Sequence, residues 1–164
     1  MRLQDFERLY AEHAEPMFGF LTYRTGDRAL AEDLLADVFE RAIRARRAFD
    51  GRLGTEKAWL YTIAVNCLRD HLRRAGAEGR AMERQQTHAV MGEQRSATGL
   101  EHVDDRDEVA RALERLSAEE REVIALRFGA DLSIADIARV TGTPQTTIEG
   151  RLYRALRKMR SNLA

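Results

Sequence analysis

Apolar residues recur along the chain at spacings of three and four, which is the period of one face of an α-helix. Leu30, Leu34, Val38 and Ala42 form one such stripe inside "RALAEDLLADVFERAIRARRAF". Alternation of apolar and polar residues, which would indicate strands, is almost absent, and there are only two prolines. The pattern predicts an all-α fold.

Four helices are predicted within residues 1–75. The first is broken or kinked at Pro16, because proline lacks the backbone donor that a helix interior needs, and a short second helix follows it. Gly26 and Asp27 end the second helix and cap the third, and Thr55 is a suitable cap for "EKAWLYTIAVNCLRDHLRRA". These helices are enough for a first small bundle domain.

Residues 76–107 lack a sustained apolar period and mix Gly, Gln, Glu, Ser and Thr. They hold four basic and seven acidic residues. This composition predicts a flexible linker between two domains.

Residues 108–164 are predicted to form a second helical domain. "SAEE" at Ser117–Glu120 and "SIAD" at Ser133–Asp136 are typical of capping boxes at helix starts. A glycine turn at Gly142 and a basic helix "TPQTTIEGRLYRALRKMRS" follow, with Thr143 as its cap. A short helix, a glycine turn and a longer basic helix predict a helix-turn-helix.

The last helix has an apolar face of Ile148, Leu152, Leu156 and Met159. If this face points to the core, then the residues on its outside can touch DNA, and these are Gln145, Thr146, Glu149, Tyr153 and Arg154.

Glu149 is the last acidic residue of the chain. A carboxylate can accept a hydrogen bond from the cytosine amino group in the major groove. Glu149 therefore either reads a base or forms a surface ion pair with a nearby arginine such as Arg154, and the sequence leaves both interpretations open.

The helix that follows Thr55 has two faces. Leu60, Ala64, Cys67, Leu68 and Leu72 make the apolar one. The other face carries Trp59, Thr62, Asn66, Arg69 and Arg73. An aromatic ring that can stack, an amide and two guanidinium groups on one face suit a partly single-stranded nucleic acid. The alternative is that Trp59 packs against neighbouring helices and that the arginines are merely solvated.

The preceding long helix carries an outward polar stripe in which acids lead and bases follow, namely Asp33, Asp37, Glu40, Arg41 and Arg44. This order suits the helix dipole, so solvation alone explains it. The functional alternative is a docking face for a protein partner.

Composition narrows the class of protein. Of 164 residues, 33% are charged and 44% are apolar, and 27 basic residues balance 27 acidic ones. A zero net charge argues against indiscriminate coating of nucleic acid, which is mainly electrostatic. No membrane span or signal peptide is predicted, and the single Cys67 suits a reducing cytoplasm.

Candidate chemistry is sparse. Cys67 and His71 stand four apart and would make half a zinc site, but a packed thiol is the simpler interpretation. No phosphate loop, nucleophile elbow or paired metal motif occurs. We therefore expect no enzyme activity, no metal and no cofactor.

Three segments, in order and spacing, resemble conserved regions of the extracytoplasmic-function (group 4) sigma factors, the small two-domain sigma subunits of bacterial RNA polymerase. They are "AEDLLADVFERAIRARRAFDG", "AWLYTIAVNCLRDHLRR" and "LSAEEREVIALRFGADLSIADIARVTGTPQTTIEGRLYRALRKMR". The resemblance covers nearly the whole chain outside 76–107.

The resemblance implies that residues 1–75 form a region 2-like domain. Its loop Phe49–Thr55 and the Trp59–Arg74 helix would open and read the −10 element, with Asn66 at a typical contact position. The implied −10 residues are Phe49, Arg52, Trp59, Thr62, Asn66, Arg69, Arg73 and Arg74.

Residues 108–164 would form a region 4-like domain that reads the −35 element. The implied −35 residues are Gln145, Thr146, Thr147, Glu149, Arg151, Tyr153, Arg154 and Arg157.

The resemblance also implies the partners. These are core RNA polymerase, contacted at its β′ clamp coiled coil and β flap, promoter DNA, and an anti-sigma factor. The polar stripe Asp33, Asp37, Glu40, Arg41 and Arg44 would dock on the β′ coiled coil, and the polymerase would perform the chemistry.

One segment departs from the family. Where its members commonly have Gly-Thr-Val-Lys/Arg-Ser-Arg, this chain has Thr-Thr-Ile-Glu-Gly-Arg at Thr146–Arg151. Two positions that would contact bases are changed, and Glu149 reverses the charge at one of them. A −35 consensus borrowed from the family would therefore be unsafe.

Two rival functions use the same helices. A helix-turn-helix regulator would be a homodimer on a palindromic operator, with residues 1–75 as its dimerisation or effector domain. A sigma-like decoy would sequester an anti-sigma factor and would need the helical faces without the DNA contacts.

Overall fold

The structure, a computed structural model, describes residues 1–78 and 103–163, and every regular element in these ranges is helical. The all-α prediction is confirmed. The helices are α1 (Leu3–Thr25), α2 (Arg28–Ala45), α3 (Glu56–Glu78), α4 (Val103–Glu114), α5 (Ala118–Ile124), α6 (Ile134–Thr141) and α7 (Gln145–Leu163). A 3₁₀ turn, Arg46–Ala48, follows α2, and a π-helical turn, Ala125–Gly129, follows α5.

Helices α3 and α4 enter the predicted linker 76–107 from its two ends, α3 as far as Glu78 and α4 from Val103. The rest of that linker, 79–102, lies outside the described residues. Within the described residues, no helix is long and apolar enough to cross a membrane.

Helix α1 runs through Pro16, so the predicted division into two helices is wrong. A proline inside a helix costs about 3 kcal/mol, because one hydrogen bond is lost and the ring clashes with the preceding turn. Leu9 lies before Pro16, and Met17 and Leu21 lie after it, and all three are fully buried. Burying each such side chain contributes roughly 1.5–3 kcal/mol, which outweighs the proline cost and keeps the helix continuous.

The caps between the first three helices agree with the sequence. Gly26 adopts a left-handed conformation with φ 67° and donates its N–H to the Thr22 carbonyl. The Asp27 side chain accepts from the Leu30 N–H, and the Thr55 hydroxyl accepts from the Ala58 N–H. Each cap satisfies a backbone group that the helix itself leaves unpaired.

The core of the first domain lies between α1, α2 and α3. Leu21, Val38, Leu60 and Leu68 are buried there, and the predicted apolar stripes of α2 and α3 supply most of the remaining core. The Tyr61 ring is also buried and meets the edge of Phe20, with ring centroids 5.5 Å apart. Burial raises the pKa of the Tyr61 hydroxyl, because the phenolate would lose its hydration.

In the second domain, only one of the two predicted capping boxes is complete. The Ser117 hydroxyl accepts from the Glu120 N–H, and the Glu120 carboxylate accepts from the Ser117 N–H. The Ser133 hydroxyl likewise accepts from the Asp136 N–H, but the Asp136 carboxylate pairs with Arg139 instead. The aspartate side chain is one methylene shorter than a glutamate, and capping boxes use Glu or Gln at this position.

The turn between α6 and α7 depends on Gly142, as predicted. Gly142 has φ 65°, a left-handed conformation that disfavours a residue with a β carbon. A β carbon there would meet nothing within 4 Å, so backbone conformation rather than close helix packing requires glycine. Helix α7 begins at Gln145, and the Thr143 hydroxyl donates to the Thr141 carbonyl rather than capping α7.

The two helical domains pack against each other through α3 and α6, and α1 also meets the π-helical turn. One continuous buried cluster includes Leu60 and Val65 of α3 together with Ile137 and Val140 of α6. The helix-turn-helix therefore lies directly on the helix that carries the predicted −10 residues.

Candidate nucleic-acid interface

The loop between α2 and α3 brings two predicted −10 residues together. The Phe49 and Trp59 rings pack in a tilted arrangement with centroids 5.4 Å apart, and both side chains are half-buried. Trp59 also packs against the core, as the structural alternative foresaw. Part of each aromatic side chain remains accessible at the surface, where a base could stack on it.

Arg52 lies at the tip of this loop. Its guanidinium donates to both oxygens of Asp50, and its backbone N–H donates to the same carboxylate. These hydrogen bonds hold the pKa of Asp50 below its usual value. The Arg52 and Leu53 side chains project into solvent, and 74% of Leu53 is exposed.

Only part of the polar stripe of α3 is exposed to solvent, and some of its side chains have hydrogen-bond partners within the chain. Asn66, Arg73 and Arg74 are exposed. The Thr62 hydroxyl donates to the Ala58 carbonyl of its own helix. Arg69 is half-buried, because its guanidinium donates to the Thr141 carbonyl of α6 at 3.1 Å.

The predicted docking stripe on α2 is exposed at all five positions: Asp33, Asp37, Glu40, Arg41 and Arg44. Glu40 and Arg44 form an ion pair one turn apart. Arg41 Nη1 lies 3.3 Å from an Asp70 oxygen, and the other Asp70 oxygen lies 2.7 Å from Arg73 Nη2. Asp70 thus links the docking stripe to the polar stripe of α3.

The outer face of α7 is the one that the sequence predicted. Gln145, Thr146, Glu149, Tyr153 and Arg154 are all exposed, whereas Ile148 and Ala155 are fully buried. Of the other predicted −35 residues, Arg157 is exposed and Thr147 and Arg151 are half-buried. Helical periodicity alone separates the two faces.

Glu149 makes no ion pair with any residue of the described ranges, and its predicted partner Arg154 lies over Gly150 instead. The Arg154 Nη1 atom is 3.3 Å from where a β carbon of residue 150 would stand. The carboxylate of Glu149 is thus presented to solvent on the outer face of α7.

Lys158 belongs to the basic run of α7, but it is a structural residue. Its ammonium donates to both oxygens of Glu120, at 3.0 and 2.9 Å, and ties α7 to α5. Burial favours the neutral acid, but hydrogen bonds from Lys158 and the Ser117 N–H outweigh it and lower the pKa of Glu120.

Cys67 is a packed thiol. Its side chain is buried in the first-domain core, and burial raises its pKa. No cluster of three metal-ligating side chains occurs within 1–78 and 103–163.

Four residues at the domain boundary make interdomain contacts that the sequence did not predict. Lys57 donates to the Asp131 carbonyl, Arg139 to the Leu53 carbonyl and Arg24 to the Ala118 carbonyl. Glu122 is buried on α5 and faces Arg69 at 3.8 Å. The acceptors of the three cations are backbone carbonyls of the other domain, so no pattern of side chains could have revealed them.

Comparison with known proteins agrees with these two domains. Residues 9–78 match the Sigma-70 region 2 family, and residues 106–159 match the Sigma-70, region 4 family.

Two curated relatives are ECF RNA polymerase sigma factors. The chain is 32% identical to SigL of Mycobacterium tuberculosis, over 94% of this chain and 86% of SigL. It is also 32% identical to BldN of Streptomyces coelicolor, but there it spans only 58% of the relative's length.

Two solved structures share the fold. The sigma factor RpoE, in complex with the anti-sigma factor NepR from Bartonella quintana, superposes with a TM-score of 0.75 at 27% identity. That match covers 98% of each chain. CnrH, in complex with the cytosolic domain of CnrY, has a TM-score of 0.69 at 25% identity, over 99% of this chain and 89% of CnrH. The chain therefore belongs to the extracytoplasmic-function sigma factors, a family that acts in transcription initiation.

Proposed function

We propose that this chain binds core RNA polymerase and directs it to promoters that carry a −10 and a −35 element. The observation that best supports this proposal is the exposure of three side chains in the first half of α7, Gln145, Thr146 and Glu149. That part of a helix-turn-helix recognition helix meets base edges, and the arginines that follow it meet phosphates.

The −10 element is read by the loop after α2 and by α3. Phe49 and Trp59 offer aromatic surface to unstacked bases, and Asn66 offers an amide that can hydrogen-bond a base edge. Arg52, Arg73 and Arg74 are exposed cations for the sugar-phosphate backbone. This combination suits a strand that is being separated from its complement, so the domain also aids promoter melting.

Core polymerase docks on the exposed stripe of α2. Five charged side chains of both signs lie on one face there, and the helix buries its apolar face against α1 and α3. We assign this stripe to the β′ clamp coiled coil and the second domain to the β flap. The protein works in the cytoplasm, where the polymerase is, and the polymerase supplies the catalytic residues.

An anti-sigma factor is proposed as a further partner. The RpoE structure that shares this fold is a complex with the anti-sigma factor NepR, and the CnrH structure is a complex with the cytosolic domain of CnrY. A sigma-like decoy would use the same partner but would not support transcription. A dimeric operator-binding regulator would need neither partner.

The decisive experiment adds the purified chain to sigma-free core polymerase on fragmented genomic DNA and maps the transcript starts. Starts that share two spaced elements upstream are expected, and they would identify the base opposite Glu149. Polymerase binding without new starts would favour the decoy, and a homodimer that ignores polymerase would favour the operator-binding regulator.

A further inference from the structure

Helix α7 contains a single glycine, Gly150, which lies between residues that the proposed function assigns to the −35 element. Glycine inside a helix lowers stability relative to alanine, because the unfolded chain has more conformations to lose. The usual reasons for a glycine are a left-handed backbone or the close approach of another element. A glycine in the middle of α7 therefore needs a specific explanation.

Neither usual reason applies to Gly150. Its backbone is helical, whereas the glycines with a left-handed conformation in the described residues are Gly26 and Gly142. The three atoms nearest to a β carbon on residue 150 would all belong to the guanidinium of Arg154. The missing side chain therefore makes room for Arg154 and not for a second helix.

The guanidinium of Arg154 lies close above the bare backbone of Gly150. Its Nη1 atom would stand 3.3 Å from the β carbon, and Cζ and Nη2 would each stand 4.0 Å from it. The Nη1 distance is shorter than the separation of about 3.5–4.0 Å at which non-bonded atoms attract best. Any residue other than glycine would therefore push the guanidinium away from this position.

This position brings the charge of Arg154 toward the start of α7. Helical side chains lean toward the N-terminus, and residues four apart lie one above the other. The guanidinium is level with residue 150, roughly 6 Å nearer the start of α7 than the Arg154 α carbon. The exposed residues Gln145, Thr146 and Glu149 lie in this half of the helix, which is the half that meets base edges.

The guanidinium also keeps donors available for a ligand. Arg154 is exposed, and Glu120 is near enough for the two charges to interact. Both oxygens of Glu120, however, already accept from Lys158 Nζ, at 3.0 and 2.9 Å. A free guanidinium can donate to O6 and N7 of guanine at the same time, which makes it selective for that base.

We propose that Gly150 is a positioning residue for the −35 element: because it has no side chain, the Arg154 guanidinium lies at the level of Glu149 and Gly150, where it reads a guanine and not a phosphate. This inference rests on the proposed function, since it concerns how α7 distinguishes one promoter from another. The guanine lies at or next to the base pair that Glu149 contacts.

The test compares Gly150→Ala with the wild type in full-length chains. Alanine at residue 150 crowds Arg154 Nη1 and displaces the guanidinium. Gly76→Ala is the matched control, because Gly76 also lies inside a helix, α3, and a β carbon there would meet nothing within 4 Å. Arg154→Ala, alone and combined with Gly150→Ala, completes a double-mutant cycle.

Two properties are measured for each chain: the midpoint of thermal unfolding, and the preference for each base in a duplex library randomised across the −35 element. Base preference is determined both from transcript yield with core polymerase and from capture of duplexes by the free chain at low salt, about 50 mM. Capture by the free chain makes the second property measurable without polymerase.

Gly150→Ala should raise the unfolding midpoint by about 2–8 °C, because alanine favours the helix, and Gly76→Ala should not lower it. Only Gly150→Ala of these two should change base preference: preference for guanine at one position should fall by about three- to tenfold. Arg154→Ala should abolish that preference, and adding Gly150→Ala to it should have no further effect. A more stable chain that reads DNA less selectively excludes damage to the fold as the cause.

Unchanged base preference in Gly150→Ala would overturn the proposal. An equal loss of yield from every promoter in Arg154→Ala would also overturn it, because a phosphate contact gives that result. If Gly150→Ala has the same effect with and without Arg154, the new methyl group acts on DNA directly and the proposal falls.

The proposed function fails separately. If no chain gives transcript starts but capture shows the expected changes in base preference, the positioning role stands and the proposed promoter function falls. If the wild type directs starts that share two elements and Gly150→Ala has the same base preference, the promoter function stands and the positioning role falls.

Discussion

At the scale of single residues, the partner of a charged group decides its role. Lys158 and Arg157 are neighbours in the same basic run, but Lys158 holds the buried carboxylate of Glu120 and Arg157 is exposed. For Glu149 the sequence left both a base contact and a surface ion pair open, and the candidate partner of the ion pair, Arg154, lies over Gly150. Charge was visible in the sequence, whereas partners became visible only in three dimensions.

Glu149→Gln should weaken discrimination at one base pair of the −35 element. The amide can still accept a hydrogen bond, but it is uncharged and also donates, so preference for the base opposite residue 149 should fall by about 5- to 100-fold. Transcript yields from promoters randomised at each −35 position measure this directly. Glu108→Gln is the control, because Glu108 is exposed on α4 and lies outside the reading face. An unchanged base preference in Glu149→Gln would rule out a reading role.

Lys158→Met should destabilise the second domain by about 1–2 kcal/mol. The change leaves the Glu120 carboxylate buried and short of a partner, and the half-exposed position of Lys158 keeps the cost below that of a fully buried pair. Urea unfolding at pH 7 measures the difference. Arg157→Met, which removes an exposed charge from the same helix, should change stability by less than about 0.5 kcal/mol.

The same pair predicts a pH dependence. The folded-state pKa of Glu120 lies below its ordinary value of 4.5, so its stabilising contribution is full above that value and is lost as the pH falls through the lower, folded-state pKa. The stability gap between wild type and Lys158→Met should therefore narrow in acid. A gap that is constant from pH 7 to below pH 4 would show that the ion pair is not its source.

At the scale of elements, periodicity predicted which face of each helix is buried. The stripes of α2, α3 and α7 point where their spacing requires, and Gly26, Asp27, Thr55 and Ser117 end or cap helices as expected. Helix α1 shows the limit of local rules. Local chemistry favoured a break at Pro16, and burial on both sides of it kept one helix.

Pro16→Ala should stabilise the first domain by about 1–2 kcal/mol. Alanine restores a backbone donor inside α1, and the exposed ring of Pro16 contributes no core packing that would be lost. The greater freedom of the unfolded chain offsets part of the gain, by about 0.4–1 kcal/mol. Thermal and urea unfolding test this. Pro144→Ala is the matched control, because Pro144 precedes the first residue of α7 and no helical bond is missing there, and a larger gain at Pro144 would contradict the explanation.

At the scale of the whole molecule, equal numbers of acidic and basic residues and the packing of the two domains against each other both limit the positive charge that is available to DNA. Zero net charge limits non-specific attraction to DNA, and the contact between the domains pairs Lys57, Arg69 and Arg139 with carbonyl acceptors. A sigma factor that bound promoters tightly by itself would be titrated by the many non-specific sites of a genome.

The free chain should therefore bind duplex promoter DNA weakly and with a marked salt dependence. Duplex binding by the second domain uses a few exposed cations of α7, so it should fall between 50 and 200 mM salt, roughly tenfold for about two phosphate contacts. Fluorescence anisotropy with labelled promoter measures this, and a scrambled duplex is the control. Tight, sequence-specific and salt-insensitive binding by the free chain would contradict it.

The sequence by itself determined the helical class, the two domains and the buried and exposed faces of the helices, because these follow from local spacing and capping chemistry. Tertiary structure alone decided the continuity of α1, the structural role of Lys158 and the interdomain hydrogen bonds of Arg69 and Arg139. These features depend on partners distant in the chain, and most of the interdomain acceptors are backbone carbonyls. Every residue has such a carbonyl, so side-chain identity cannot show which ones are used.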